Sequence, residues 1–371
     1  MISTKEFLEE LLKNDLTFYS GVPDSLLKNL CFAIDKKFKS KHIVAANEGA
    51  AVSIGLGYYL KTKKIPVIYM QNSGLGNAIN PLISLANSKV YRIPVFMIVG
   101  WRGEHSKKLI DEPQHLSQGK ETINFLKSLG VKYKILSSRS NIKKIIKDLK
   151  NYSEKNRLPV CILVKKNSFE NKKSKKSISS NKLYLREELL KVLIGNLPKK
   201  SNIVSTTGIL SRELNEILNN NNMGKINNFM CVGGMGHAIS VASGIAINTK
   251  KKIFCLDGDG ALTMHMGSLT TSAVQKNIVH ILFNNNGHES VGGQKTSADK
   301  VEFYKLAKTL GYNTTKFCKN KNELISAISD GVSSKGSFFI EVLCKQGHRK
   351  NISRPNTKMT TLKEQFMKNL R

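Results

Sequence analysis

The feature that most constrains the fold of this chain is the alternation of apolar, β-rich runs with amphipathic stretches along its whole length. Such alternation is typical of βαβ units, in which helices cover both faces of a parallel sheet. In the first half, the pattern predicts strands at residues 65–70, 93–99 and 160–164. In the second half, it predicts strands near residues 203–205, 253–256, 278–283 and 338–343.

A polar segment separates these two sets of predicted strands. Residues 167–181 are rich in Lys, Ser and Asn and are almost without apolar side chains, which is typical of a linker. We therefore predict an α/β protein of two doubly wound parallel-sheet domains: a first domain of residues 1–166, a linker of residues 167–182 and a second domain of residues 183–371. Ligands of such sheets bind at the carboxyl ends of the strands, so functional residues are expected in the loops that follow them.

The charge of the chain is strongly positive, with 59 Lys and Arg against 27 Asp and Glu and a formal net charge of +32. A basic surface of this size attracts nucleic acid and other polyanions. The excess, however, consists mostly of lysines dispersed along the whole chain, accompanied by many Asn and Ile. We therefore predict small anionic substrates and no nucleic-acid partner. The alternative, a nucleic-acid-binding α/β protein, would explain the charge but would leave the motifs described below unexplained.

The cysteines and the lengths of the apolar runs indicate the cellular compartment of the protein. The six cysteines are scattered singly, without a C-x-x-C pair, which predicts buried, reduced thiols rather than disulfides or a zinc site. No apolar run approaches the roughly 20 residues that a membrane helix needs, and the first residues lack the basic-then-apolar order of a signal peptide. We expect a soluble, cytoplasmic protein without a membrane partner.

The most informative motif spans the tips of two consecutive predicted strands. One strand ends in Gly-Asp-Gly-Ala at residues 258–261, directly before a helix, and the next ends in Asn-Asn-Asn-Gly at residues 284–287. Asn285 follows Asp259 by 285 − 259 = 26 residues. A carboxylate and compact backbone amides at a helix start form an anion-binding corner beside a ligand for a hard cation. The pair of tips therefore suits an octahedral Mg²⁺ that also holds phosphate oxygens.

A Gly-Asp-Gly, helix, strand, Asn-Asn module of this length resembles the thiamin diphosphate (ThDP) motif of ThDP-dependent decarboxylases, synthases and transketolases. The resemblance implies ThDP and Mg²⁺ as cofactors. It implies that the metal ligands are Asp259, Asn285 and the backbone carbonyl of Gly287. Gly258, Gly260 and Ala261, which flank the aspartate, would then contact the cofactor.

Other segments resemble further parts of the same family. Residues 45–51, Ala-Ala-Asn-Glu-Gly-Ala-Ala, match its Asn-Glu signature, which implies that Glu48 activates the pyrimidine ring of ThDP. The family resemblance implies that Glu48 is buried where the domains meet, and burial would raise its pKa. The Thr-Thr-Gly at residues 206–208 resembles the diphosphate-side loop and implies cofactor contacts from Thr207 and Gly208.

The Gly-Gly-Met-Gly at residues 233–236 resembles the segment that keeps ThDP bent in this family. The resemblance implies that Met235 is the apolar wedge under the cofactor. It also implies that the carbonyl of Gly233 accepts a hydrogen bond from the aminopyrimidine.

Five additional segments resemble the phosphonopyruvate decarboxylase branch of the family: residues 20–27, 71–78, 100–104, 111–115 and 288–294. The lack of a third domain between the two ThDP domains also fits this compact branch. The resemblance implies decarboxylation of 3-phosphonopyruvate to phosphonoacetaldehyde and CO₂. Sulfopyruvate decarboxylation, or another ThDP-dependent decarboxylase or synthase activity, remains an alternative. One departure lies near the metal site, where residues 286–287 are Asn-Gly instead of the expected Gly-Ala.

A substrate that carries a carboxylate and a phosphonate requires several cationic donors, ideally a planar Arg fork. The candidates are Arg102 and three residues of the basic segment that follows the last predicted strand: Arg349, Lys350 and Arg354.

Three further residues are candidates for the chemistry of the substrate. The segment that contains Asp24 resembles the substrate-side aspartate loop of other decarboxylases. His115 and His288 are candidates for delivering the proton that the product needs. The family resemblance also implies a homo-oligomer, at least a dimer, in which the first domain of one subunit and the second domain of its partner share each active site.

Overall fold

The structure is a computed structural model that describes residues 1–104, 111–170, 183–220, 226–353 and 357–370. The chain divides into two compact units, Met1–Lys176 and Ser177–Arg371. Each unit contains a six-stranded parallel sheet with helices on both faces, so the predicted fold class is confirmed. The bounds of the predicted linker stay a prediction, because residues 171–182 lie outside the described ranges.

Within its described residues, the first unit contains six strands and six α-helices. Its strands are β1 (Tyr19–Gly21), β2 (His42–Val44), β3 (Val67–Gln71), β4 (Phe96–Gly100), β5 (Lys132–Leu136) and β6 (Val160–Val164). Its helices are α1 (Thr4–Lys13), α2 (Lys28–Phe38), α3 (Glu48–Thr62), α4 (Leu75–Pro81), α5 (Pro113–Ser128) and α6 (Ile142–Asn156). The strand order in the sheet is β2-β1-β3-β4-β6-β5, and every pair is parallel.

The second unit is built in the same way. Its strands are β7 (Asn202–Ser205), β8 (Asn227–Met230), β9 (Ile253–Gly258), β10 (Ile278–Asn284), β11 (Gly287–His288), β12 (Gln294–Lys295), β13 (Thr314–Cys318) and β14 (Phe338–Leu343). Its helices are α7 (Arg186–Asn196), α8 (Ile209–Asn220), α9 (Ala238–Ala246), α10 (Asp259–Met264), α11 (Ser268–Ala273), α12 (Phe303–Thr309), α13 (Lys321–Ser333) and α14 (Met359–Leu370). The main sheet has the order β13-β14-β10-β9-β7-β8, and β11 and β12 form a small antiparallel hairpin.

The two main sheets have the same topology. If β7, β8, β9, β10, β13 and β14 are counted as strands 1 to 6 of the second unit, both sheets have the order 2-1-3-4-6-5. In such a sheet the chain reverses its direction of winding between strands 1 and 3, which opens a crevice at their carboxyl ends. The expected crevices therefore lie at the ends of β1 and β3 in the first unit and of β7 and β9 in the second.

Alternation along the central strands builds a core on each face of each sheet. In β3, Val67 and Tyr69 pack with the layer that contains α1, α2 and α6, whereas Ile68 and Met70 pack with α3, α4 and α5. In β10, Val279, Ile281 and Phe283 pack with α7, α8 and α13, and the intervening residues pack on the opposite face. These strands are buried on both faces and read as continuous apolar runs, which explains why the sequence predicts them.

All seven predicted strands are present, with ends that shift by at most three residues. The other seven strands of the described ranges were not predicted from the sequence: β1, β2, β5, β8, β11, β12 and β13. Of these, β1 and β2 have three residues each, and the edge strands β5 and β13 carry exposed lysines on mixed polar and apolar sequences. None of the helices in the described ranges is long and apolar enough to span a membrane.

Candidate functional site

The tips of β9 and β10 bring Asp259 and Asn285 together at the carboxyl edge of the second sheet. The two strands are parallel neighbours, with Phe283 opposite Gly258. Asp259 is the first residue of α10, and its Oδ1 accepts a hydrogen bond from the Asn285 backbone N–H at 3.4 Å. The structure therefore places the two predicted ligands side by side. Their role as metal ligands stays a prediction.

The electrostatics of Asp259 suit a cation. Its side chain is buried, and Oδ2 accepts a hydrogen bond from the Thr296 hydroxyl at 2.8 Å. Burial raises its pKa to about 6, although the bonds from Thr296 and from the Asn285 amide act in the opposite direction. No Lys, Arg or His within the described ranges forms an ion pair with Asp259. Because a buried carboxylate without a counter-charge is costly, this residue fits a bound metal ion.

The loop after β10 controls the orientation of Asn285. The Asn285 Oδ1 accepts from the Gly287 N–H at 3.0 Å, and its Nδ2 donates to Glu289 at 3.2 Å. Asn286 has a positive φ of 52°, a conformation that Asn tolerates better than most residues. A Cβ on Gly287 would lie 2.1 Å from the Gln346 Nε2. The Asn-Gly departure from the expected Gly-Ala is thus accommodated by a left-handed Asn and by a glutamine that occupies the place of the methyl group.

Beside these ligands lies a pocket whose lining fits an anionic group. It is lined by Thr206, Thr207, Met235 and residues 258–261, together with side chains from the loop after β10. The Thr206 hydroxyl is buried and has no hydrogen-bond partner among the described residues. A Cβ on Gly258 would meet no atom within 4 Å, so this glycine leaves open space at the start of α10. The open space, the unpaired hydroxyl and the helix start together fit the diphosphate of ThDP.

The glycine-rich segment after β8 contacts the same pocket. The Gly233 N–H donates to the Thr207 hydroxyl at 3.2 Å, which links the two predicted cofactor loops. Gly208, Gly233 and Gly236 have φ values of 94°, 74° and 85°, a region that favours glycine. Met235 is partly buried and lines the pocket, which is compatible with the predicted wedge.

His288 lies against the Gly-Asp-Gly turn. It is buried on β11, and a Cβ on Gly260 would lie 2.8 Å from its Nδ1. Burial lowers the pKa of His288 to about 4, so the imidazole is neutral at pH 7. The low pKa disfavours the protonated imidazole that would deliver a proton, and the catalytic role of His288 stays a prediction.

Glu48 lies at the carboxyl edge of the first sheet. It is the first residue of α3, which is capped by Asn47 through a 2.8 Å bond to the Ala50 N–H. The carboxylate is buried against Gly74, and the Asn77 Nδ2 donates to Oε2 at 2.7 Å. Burial raises the pKa of Glu48, and the bond from Asn77 lowers it. The first unit alone therefore supplies the burial that the sequence analysis expected.

Asp24 follows β1 and Arg102 follows β4, two strands of the first sheet that are separated by β3. Asp24 is buried after β1, and its Oδ2 accepts from the Leu26 and Leu27 N–H groups at 3.2 and 3.3 Å. Burial raises its pKa to about 6, with Arg102 acting in the opposite direction. These bonds show that Asp24 holds the turn between β1 and α2. A direct role in catalysis stays a prediction.

Arg102 is bound by a carboxylate. Its Nε and Nη2 donate to Asp111 at 2.9 and 2.5 Å, and its Nη1 donates to the Ser25 hydroxyl at 2.9 Å. These bonds use three of the five guanidinium N–H groups, and the described residues provide no further partner for the other two. His115, in the first turn of α5, is partly buried, and burial and the charge of Arg102 lower its pKa. The first unit therefore gathers Asp24, Arg102 and His115 along one edge.

The basic segment that follows β14 is partly neutralised by ion pairs within the second unit. Arg349 pairs with Glu187 at 2.9 Å and with Glu216. Lys350 is exposed, and Arg354 lies outside the described residues. Their substrate roles stay predictions.

Three side chains that contact the site were not among the residues predicted from the sequence. Thr296 holds Asp259, Glu289 holds Asn285, and Arg186 binds Glu289 at 2.8 Å. Glu289 belongs to the segment of residues 288–294, which resembles the family, so the resemblance could have identified it as a site residue. Thr296 and Arg186 are separated from their partners by 37 and 103 residues, and nothing in a single sequence indicates those contacts.

A second group of potential metal ligands lies below the pocket. Cys255, Asp257 and His280 are fully buried on adjacent strands, with one ligand atom of each within 4.8 Å of the others. The Asp257 Oδ2 and the His280 Nε2 are 3.6 Å apart, and Asp257 Oδ1 accepts from the Gly258 N–H at 2.9 Å. This cluster holds the strand end from which the Gly-Asp-Gly turn begins.

Models of one protein family match both units of the chain. The thiamine pyrophosphate enzyme N-terminal TPP-binding domain matches residues 2–123, and the C-terminal TPP-binding domain matches residues 206–342. Thiamine pyrophosphate is the same molecule as ThDP. The chain belongs to the thiamine pyrophosphate enzymes. The two matches confirm the family resemblance and the cofactor that the motifs predict.

Two curated relatives match nearly the whole chain, and a third matches about half of it. Phosphonopyruvate decarboxylase of Streptomyces hygroscopicus is 28% identical over 99% of this chain and 93% of that protein. Sulfopyruvate decarboxylase of Methanosarcina acetivorans is 25% identical over 97% of this chain and 95% of that protein. The sulfopyruvate decarboxylase subunit beta of Methanococcus maripaludis is 30% identical over 49% of this chain and 95% of that subunit.

The two glycines of the Gly-Asp-Gly turn are expected to behave differently. A methyl group on Gly260 meets His288, so Gly260→Ala should lower the thermal stability of the cofactor-free protein. A methyl group on Gly258 meets open space, so Gly258→Ala should leave that stability within about 0.5 kcal/mol of wild type. Gly258→Ala should also weaken ThDP binding in calorimetric titrations. The added methyl group would fill the open space at Gly258, which we call the Gly258 cradle. Unchanged ThDP affinity in Gly258→Ala would place the diphosphate elsewhere.

Proposed function

We propose that the protein decarboxylates 3-phosphonopyruvate to phosphonoacetaldehyde and CO₂, with ThDP and Mg²⁺, as a step of phosphonate biosynthesis. The observation that carries the cofactor chemistry is the pairing of Asp259 and Asn285 at adjacent strand tips beside an open glycine cradle. The likeness to phosphonopyruvate decarboxylase over 99% of the chain supports the substrate.

The chain has residues that fit both parts of the cofactor. Asp259, Asn285 and the Gly287 carbonyl would hold Mg²⁺, and the pocket of Thr206, Thr207 and residues 258–261 would hold the diphosphate. When bound, ThDP supplies a carbon nucleophile and an electron sink for the bond between the substrate's carbonyl carbon and its carboxylate.

Glu48 would move the proton that activates the cofactor. Its carboxyl group is buried, and burial raises its pKa, which favours sharing of a proton with a ring nitrogen of the cofactor. Asn77 and the packing against Gly74 fix its direction. This protonation role follows from the family and is supported by the burial of the group.

The substrate anion requires donors that are already oriented. Arg102 is held by Asp111 and Ser25, which fixes the plane of the guanidinium while two N–H groups remain available. The imidazoles of His115 and His288 are candidates for returning the proton to the product. Lys350 adds positive charge near the carboxyl edge of the second sheet, where the last strand, β14, ends.

Sulfopyruvate decarboxylation is the main alternative, supported by the relative from Methanosarcina acetivorans. A sulfonate carries one negative charge, whereas a phosphonate carries up to two. The pairing of Arg102 with Asp111 and of Arg349 with Glu187 and Glu216 reduces the positive charge available, which is the observation that keeps this alternative open. A carboligating synthase activity is a further alternative.

The direct test incubates the purified protein with ThDP and Mg²⁺ and, separately, with phosphonopyruvate, sulfopyruvate and pyruvate. We expect phosphonoacetaldehyde and CO₂ from the first substrate, identified by phosphorus NMR. Glu48→Gln should still bind ThDP but lose nearly all turnover, because the amide cannot donate the activating proton. A preference for sulfopyruvate would transfer the proposal to the alternative substrate, and near-normal turnover by Glu48→Gln would refute the role of Glu48.

We also propose a cytoplasmic homo-oligomer, at least a dimer, whose active sites are shared between subunits. All six cysteines are free and buried, which is consistent with a reducing compartment. The shared site follows from the family, in which the first domain of one subunit and the second domain of its partner bind one cofactor. A small-molecule 2-oxo acid is the only partner that this proposal requires besides a second copy of the chain.

Mixing two inactive variants tests the shared site. Glu48→Gln inactivates the first unit and Asp259→Ala the second, so a mixed dimer with shared sites contains one site with both residues intact. We expect activity to return on subunit exchange, up to half of the wild-type value per mixed dimer. If each chain builds its own site, mixing restores nothing, even in a protein that is dimeric by light scattering.

A further inference from the structure

Glu289 joins four separate groups at the edge of the second sheet. Its Oε2 accepts from the Arg186 Nη1 at 2.8 Å and from the Asn285 Nδ2 at 3.2 Å. Its Oε1 accepts from the Gly347 N–H at 2.6 Å and from the His348 Nδ1 at 3.0 Å. The carboxylate therefore connects the loop after β10 with the start of α7 and with the segment after β14.

The contact with Asn285 decides which end of that amide faces the metal site. An amide has one oxygen, which can ligate a hard cation, and one NH₂ group, which cannot. Because Glu289 accepts only from the NH₂ group, it holds the oxygen on the opposite side, where it also accepts from the Gly287 N–H. Without Glu289, rotation of the amide would expose the NH₂ group to the cation.

The surroundings fix the Glu289 carboxylate. Arg186, the Gly347 N–H and His348 all form hydrogen bonds with it. Arg186 is itself fixed by Glu213, with Nε to Oε2 at 2.7 Å and Nη2 to Oε1 at 3.2 Å. One guanidinium thus contacts the carboxylates of both Glu213 and Glu289, which holds Arg186 and Glu289 in place beside Asn285.

We infer that Glu289 is a positioning residue for the metal site, which orients the Asn285 amide and is itself held by Arg186. This inference rests on the proposed function, because it requires that Asp259 and Asn285 bind the cofactor's metal ion. Outer-shell partners of metal ligands commonly affect metal affinity by 10- to 100-fold. The expected effect is on metal affinity, with only a secondary effect on folding.

The test measures Mn²⁺ binding to the full-length protein in the presence of ThDP, using the electron paramagnetic resonance signal of free Mn²⁺. Glu289→Gln should raise the Kd for Mn²⁺ by about 10- to 100-fold. Glu289→Asp keeps the charge beside Arg186 but shortens the side chain, and it should also weaken Mn²⁺ binding. Glu302→Gln is the control, because Glu302 is an exposed glutamate that pairs with Lys305.

A second substitution distinguishes a loss of Asn285 orientation from a general loss of protein stability. Asn285→Asp offers an oxygen in either orientation, so Glu289→Gln combined with Asn285→Asp should recover Mn²⁺ affinity to within a few-fold of wild type. Recovery by a second change in the same site is not expected if Glu289 only supports the fold. Thermal unfolding without metal checks that each variant is folded.

The outcomes distinguish this inference from the proposed function. If wild type binds no Mn²⁺ with ThDP, the proposed function fails. If wild type binds Mn²⁺ and both Glu289→Gln and Glu289→Asp bind it within two-fold of wild type, the positioning role is wrong and the proposed function stands. If Glu289→Gln does not fold, Glu289→Asp alone decides: weakened Mn²⁺ binding supports the positioning role, and binding within two-fold of wild type refutes it.

Discussion

The buried carboxylate of Asp259 is the constraint on which the architecture of the second unit depends. It lies at the end of a central strand, is held by Thr296 and by the Asn285 amide, and has no cationic partner among the described side chains. Burial raises its pKa to about 6, so the ionised form is costly until a cation binds. A buried carboxylate without a cationic partner fits a bound metal ion, which is the role that we propose for Asp259.

The two units use one topology for two kinds of chemistry. Both sheets have the order 2-1-3-4-6-5, and in both the polar side chains collect at the carboxyl edge near strands 1, 3 and 4. The edge of the second unit offers Asp259, Asn285 and an open glycine cradle, which suit a metal and a diphosphate. The edge of the first unit offers a buried glutamic acid, Glu48, and a guanidinium fixed by Asp111, which suit proton transfer and anion binding.

Much of this arrangement is predictable from the sequence because it is local. The buried strands, such as β6 and β14, have continuous apolar runs, and the Gly-Asp-Gly turn and the Asn-Asn pair directly follow strands whose neighbours the topology fixes. The short strand β1 and the edge strands β5 and β13 were missed, because short length or exposed lysines remove the apolar signal. The contacts of Thr296 and Arg186 join residues far apart in sequence, and only folding reveals them.

The same reason explains why the cationic residues were the least predictable part of the site. A sequence indicates that Arg102 and Arg349 are basic, but it does not indicate that Asp111 neutralises the first and that Glu187 and Glu216 neutralise the second. Free positive charge depends on pairings that the fold decides. Substrate preference between a phosphonate and a sulfonate is therefore a question for the folded protein.

The measurement that tests the central claim most directly is a crystal structure of the protein with ThDP and Mn²⁺, with anomalous scattering used to locate the metal. The account predicts one strong Mn²⁺ peak per active site, coordinated by the Asp259 carboxylate, the Asn285 Oδ1, the Gly287 carbonyl and diphosphate oxygens. A peak at Cys255, Asp257 and His280 instead, or a cofactor bound away from the Gly258 cradle, would contradict the account.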